Sequence, residues 1–156
     1  MGYISASGIA FAALMMALAP SAAPLPAGPE TDTEFASLDV TVTNIKKDEG
    51  VIRLAICRQG DDFPDCGENA VQSADLKIDL GSARAQFEDI PAGLYAVSVF
   101  HDANANGKLD TFLGMPREGY GFSTNPPFRP RAPHFSEAQI EIDGKTEAII
   151  KLRYLL

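Results

Sequence analysis

From Ser37 to Tyr154 apolar side chains recur at every second position in short runs, each closed by glycine, proline or aspartate, and this period of two constrains the fold most strongly. Such a period puts successive side chains on opposite faces, so each run makes a strand with one buried face. The runs are Ser37–Ile45, Val51–Cys57, Asp75–Leu80, Arg84–Phe87, Leu94–His101, Phe135–Ile142 and Glu147–Tyr154. Between them, Lys47-Asp48-Glu49-Gly50, Gly81-Ser82, Pro91-Ala92-Gly93 and Asp143-Gly144 supply residues that tolerate tight reversal. No segment shows an amphipathic helix. Seven strands in about 120 residues predict an all-β fold over 35–156, a seven-stranded antiparallel Greek-key β-sandwich.

The amino terminus is different in kind. Met1 to Ala23 carry no charge and hold an apolar run from Ile9 to Ala19. That run is shorter than the about 20 residues that span a bilayer, and it fits the roughly 7–15 of a secretory h-region. It reads as a signal peptide over 1–23, cut after Ser21-Ala22-Ala23, with Ala17-Leu18-Ala19 as the second site and an uncleaved anchor as the alternative. No cysteine follows to take a lipid. Residues 24–34 read as a flexible linker, and the expected location is periplasmic or secreted, with no transmembrane span after cleavage.

Hydrophobic residues at 46% and charged residues at 22% suit one globular domain. The net charge of −8 falls wholly outside the leader, which disfavours nucleic acid and anionic membranes as partners and favours cations. The two cysteines, Cys57 and Cys66, enclose a turn-rich segment. In an exported chain this pair predicts a disulfide rather than redox chemistry, which usually places cysteines two residues apart at a helix start.

One segment lacks the strand rhythm: 102–133 is dense in glycine, proline, asparagine and aromatics. A loop of about 30 residues in a small domain is usually functional or disordered, and Phe112, Tyr120, Phe122 and Phe128 argue for order. It begins Asp102-x-Asn104-x-Asn106-Gly107-Lys108-x-Asp110, an alternation of oxygen donors that can wrap a hard cation such as Ca²⁺. Asp102, Asn104, Asn106 and Asp110 would give side-chain oxygens and Lys108 a backbone carbonyl, with Gly107 at the sharp turn. Leu113 stands where an EF-hand has its bidentate glutamate, and Glu118 is the alternative closing ligand. The competing reading is a set of Asx-turns without an ion.

His101 and His134 flank the loop and, with Asp102 and Glu118, define a metal-dependent enzyme as the alternative function. No nucleophile elbow, phosphate loop or dinucleotide fingerprint occurs, and no catalytic residue is assigned. Arg117, Arg129 and Arg131 read as solvated loop charges. Arg117, Glu118 and Tyr120, in the glycine-rich stretch after the cation motif, form the expected ligand or partner surface.

Three motifs in order, Pro91-Ala92-Gly93-Leu94-Tyr95-Ala96-Val97, His101 through Asp110, and Gly114-Met115-Pro116-Arg117-Glu118-Gly119-Tyr120-Gly121-Phe122-Ser123, closely resemble the bacterial domain-of-unknown-function family 2141. The resemblance runs from about Leu38 to the C-terminus and implies an exported prealbumin-like or carboxypeptidase-regulatory-like sandwich, with no activity attached. The leading expectation is a non-enzymatic envelope module that binds an envelope protein or small ligand.

Overall fold

The computed structural model describes residues 34–156, so the expected signal peptide and nearly all of the linker lie outside the described residues. Alternation becomes one-sided burial. Strand β1 (Phe35–Thr43) buries Ala36, Leu38, Val40 and Val42, and β2 (Val51–Arg58) buries Ile52, Leu54 and Ile56. After β3 (Gln72–Leu76) and β4 (Ala83–Pro91), the long β5 (Gly93–Asp102) pairs with β2 along its length, Val51 opposite Asp102 and Arg58 opposite Tyr95. Three short strands follow, β6 (Thr111–Phe112), β7 (Met115–Pro116) and β8 (Tyr120–Phe122). One helical turn, α1 (Phe135–Ala138), leads into β9 (Gln139–Ile142) and β10 (Lys145–Lys151).

The strands form a three-stranded sheet ordered β10-β1-β4, and a larger sheet ordered β3-β2-β5-β8 in which β9 also pairs with β5. Leu38, Val40, Val42 and Ile150 of the first sheet share one core cluster with Ile52, Ile56, Val97 and Ile142 of the second. Burying a side chain of this size contributes about 1.5–3 kcal/mol, which is why the alternating positions dominate the fold.

The all-β reading stands, and its details need four corrections. The first and last strands pair in parallel, Val40 beside Ala148, so the arrangement is not wholly antiparallel. Ten strand segments replace seven, because 102–133 contains β6, β7 and β8; the last of these is anchored by cross-strand partners on β5 that no local pattern reveals. The expected strand Asp75–Leu80 stops at Leu76, where pairing with Ile52 ends and Asp79–Ser82 turns back on itself. The segment Phe135–Ile142 also starts as a helical turn, with the Glu137 carboxylate accepting the His134 N–H at 2.8 Å.

Cys57 and Cys66 form a disulfide, with Cα atoms 5.8 Å apart, and both are buried. The segment they close brings Phe63 against Phe122 and Phe135. Close approach explains the Gly-Tyr-Gly spacing of β8: a Cβ at Gly121 would stand 2.7 Å from Ile150 Cγ2, and one at Gly119 would enter the Tyr154 ring. Backbone bonds between Tyr120 and Arg153, at 3.0 and 2.8 Å, then join the larger sheet to the chain beyond β10.

Candidate functional site

Register decides what stands at the head of the long loop. Asp102 ends β5 next to β2, and the Arg53 guanidinium reaches it with Nε 2.7 Å from Oδ2 while also gripping Asp75 at 3.0 and 3.1 Å. The Asp102 carboxylate is fully buried, and it also accepts the Gly107 N–H at 2.8 Å on Oδ2 and the Asn106 N–H at 2.9 Å on Oδ1. Burial pushes its pKa upward, but the Arg53 hydrogen bond, the Gly107 and Asn106 amides and the Arg53 charge together hold it below the usual carboxylate value. Asp102 thus ties the first turn of the loop to the sheet.

Glu118 ties the far side. Its Oε1 accepts the Ala103 N–H and its Oε2 the Asp110 N–H, each at 2.9 Å, and the residue is only 8% exposed. This corrects its expected place on a partner surface: its charge points into the loop because backbone N–H groups there need acceptors. Of its expected companions, Arg117 is exposed and Tyr120 is half-buried in β8.

The remaining donors of the motif converge on Asp110. Asn104 Nδ2 lies 2.9 Å from Asp110 Oδ2 and Asn106 Nδ2 lies 3.1 Å from Oδ1, while the Asn106 Oδ1 accepts the Lys108 N–H at 2.9 Å. Asn104, Asn106, Lys108 and Asp110 are brought together, and Asp102 is engaged by protein donors on both oxygens.

Between the two carboxylate ties the chain runs out as a hairpin. Strands β6 and β7 pair Phe112 with Met115, and Leu113-Gly114 makes the turn with φ of 49° and 78°. Both central residues of such a turn need positive φ, a demand met by asparagine or glycine and opposed by leucine. Leu113 is nevertheless 84% exposed, beside Phe112 at 54% and Met115 at 44%. A second turn of this kind, Leu80-Gly81, has φ of 48° and 73° and leaves Leu80 90% exposed. The pairings of Ile52 with Leu76, Val42 with Ala83 and Val51 with Asp102 put both turns at one end of the fold. Gly81 also accepts the Ile45 N–H at 3.2 Å and donates to Asp48 Oδ1 at 2.9 Å, joining the loop after β1 to the same end.

The histidines do not meet. His101 is buried, with Nε2 donating to the Glu49 carbonyl at 2.7 Å and Nδ1 facing the Tyr154 hydroxyl at 3.0 Å. His134 precedes α1, whose continuation β9 pairs with the opposite half of β5, Gly93 to Ala96. Among the described residues no group of three or more His, Cys, Asp and Glu is placed to hold a metal ion, so a metal-dependent enzyme on His101, Asp102, Glu118 and His134 is not favoured. Sequence reasoning missed Arg53 and Tyr154, whose roles depend on partners 49 and 53 residues away. It also missed the exposed turn at Leu113, because leucine is not a residue that such turns favour and no local pattern marks it.

A family model described as an uncharacterized protein conserved in bacteria, DUF2141, matches residues 40–150. No curated protein and no solved structure matches the chain. Among the described residues no helix is long and apolar enough to cross a membrane.

Proposed function

This chain belongs to the DUF2141 family of proteins conserved in bacteria, and we propose that it works as an exported, non-enzymatic binding module of the cell envelope. In this reading 1–23 is a removed signal peptide, 24–34 a linker, and 35–156 a prealbumin-like sandwich, which the shared core of the two sheets supports. The observation that carries the binding function is the contrast within 102–119. Two buried carboxylates, Asp102 and Glu118, fix the loop through its backbone, and the hairpin they hold out ends in Phe112, Leu113 and Met115. Exposed apolar area on a fixed support is a contact surface, since folding would favour a polar turn residue at Leu113.

The partner is a protein or ligand with an apolar patch facing that tip, with Arg117 beside it. A photo-crosslinking residue at position 113 should give one reproducible envelope adduct, and one at Gln86, on β4, should not. Equal labelling at both positions, or none at 113, overturns the reading.

A Ca²⁺-type ion on Asn104, Asn106, Asp110 and the Lys108 carbonyl, with Asp102 as anchor, is the accompanying proposal. What supports it is convergence: the Asn104 and Asn106 side chains both reach the Asp110 carboxylate, and an ion there would draw their oxygens from the Asn106 and Lys108 N–H groups that they now accept. With so few formal charges the affinity belongs in the range of about 10⁻⁴–10⁻³ M.

A further inference from the structure

Away from the apical loop, where β8 meets the chain beyond β10, aromatic and proline side chains line a shallow, open groove. Tyr120 and Phe122 come from β8, and Phe128 comes from the segment that follows it. Three guanidinium groups, Arg129, Arg131 and Arg153, share the lining with a single carboxylate, Glu137.

The four charges are not equivalent. Arg131 grips Glu137 in a bidentate pair, Nη1 to Oε2 at 2.7 Å and Nη2 to Oε1 at 3.0 Å, and also donates to the Ala132 carbonyl. That pair, with the His134 N–H, brings the Glu137 carboxyl down to about 2, so it is ionised and already matched. Arg129 approaches the same carboxylate only with Nε at 3.5 Å. Arg153 has no acidic partner among the described residues; one Nη2 donates to the Pro126 carbonyl at 3.0 Å and the guanidinium lies 5.9 Å from the centre of the Phe128 ring. The groove therefore holds an excess of two positive charges in a chain whose net charge is −8.

Guanidinium forks match the geometry of oxyanions, and flat aromatic walls take a planar apolar body. We infer that the groove binds a small carboxylate carried on a planar apolar body, with Arg129 and Arg153 as counter-ions and the body against Tyr120 and Phe128. This site is independent of the apical tip and of any ion in the loop.

Amide chemical-shift titration of the mature protein with 2-naphthoate tests the inference, with inorganic phosphate and neutral 2-naphthamide as separate arms. Shifts confined to 120–137 and 153 are expected, with naphthoate binding about tenfold more tightly than either control. Arg129→Gln removes an exposed charge that makes no close hydrogen bond, so it should keep the fold and weaken naphthoate several-fold; Arg153→Gln should do the same, with its spectrum checking that the Pro126 segment is intact. The inference is overturned if naphthamide binds as well as naphthoate, if phosphate does, if naphthoate does not bind, or if Arg129→Gln binds it like the wild type.

Discussion

The Asp102 anchor can be tested by removing one charge and almost no volume. In Asp102→Asn the side chain keeps one acceptor and gains an amide donor, which must face either the Asn106 N–H or both Arg53 Nε and the Gly107 N–H. Hydrogen bonds to a charged group contribute about 1.5–3 kcal/mol each, so the amide turned toward Asn106 loses one bond of that size, and the two kept on the remaining oxygen weaken with the loss of charge. Arg53 retains Asp75 and is itself part-exposed, and the loop amides lie where water reaches them, so the expected loss is about 2–3 kcal/mol. In a domain of this size that lowers Tm by roughly 10 °C. The sign with pH follows from the depressed pKa. The stabilisation from the Asp102 carboxylate is fully present above the unfolded value near 3.9 and is lost as pH falls through the folded value, at up to about 1.4 kcal/mol per pH unit. Urea unfolding of both proteins at pH 7 and at steps down to pH 3 should show a gap at neutral pH that narrows on acidification. A variant within about 0.5 kcal/mol of wild type at pH 7, or a gap that stays constant with pH, refutes the anchoring role.

The unreduced protein, unfolded in denaturant, should show no titratable thiol, and reduction should lower stability by about 2–3 kcal/mol because the bridge closes a short loop; two thiols per chain before reduction would contradict the bridge. Calcium at about ten times a millimolar Kd should add roughly 1.4 kcal/mol by mass action, read as a rise in Tm that Asp110→Ala abolishes; an equal rise in that variant points away from the loop. Leu113→Asn should leave stability unchanged or raise it by up to about 1 kcal/mol, because asparagine accepts a positive φ, while eliminating the adduct formed from a photo-crosslinking residue at the neighbouring exposed Met115. Gly121→Ala should destabilise by about 1–3 kcal/mol, since its methyl meets Ile150 Cγ2 and the Lys151 carbonyl; a melting curve like that of wild type would mean β8 does not lie flush on β10.

What the chain shows before folding is whatever depends on near neighbours. Alternation over Leu38-Asp39-Val40-Thr41-Val42 is enough to make a strand and choose its buried face, and glycine or aspartate after each run is enough to end it. The Cys57–Cys66 spacing implied its bridge, and three motifs in order carried the family. Only the tertiary structure decided the rest. A carboxylate cannot select its partner from local sequence, so Asp102 finds Arg53 only when β5 lies beside β2 in one register, and Glu118 turns inward only when its loop folds over it. The parallel β1–β10 pair joins residues more than a hundred positions apart, and the arginine groove exists because β8 brings Tyr120 to Arg153. Periodicity is a property of a segment, whereas register and charge pairing are properties of which segments meet, and core burial spread over both sheets determines that meeting.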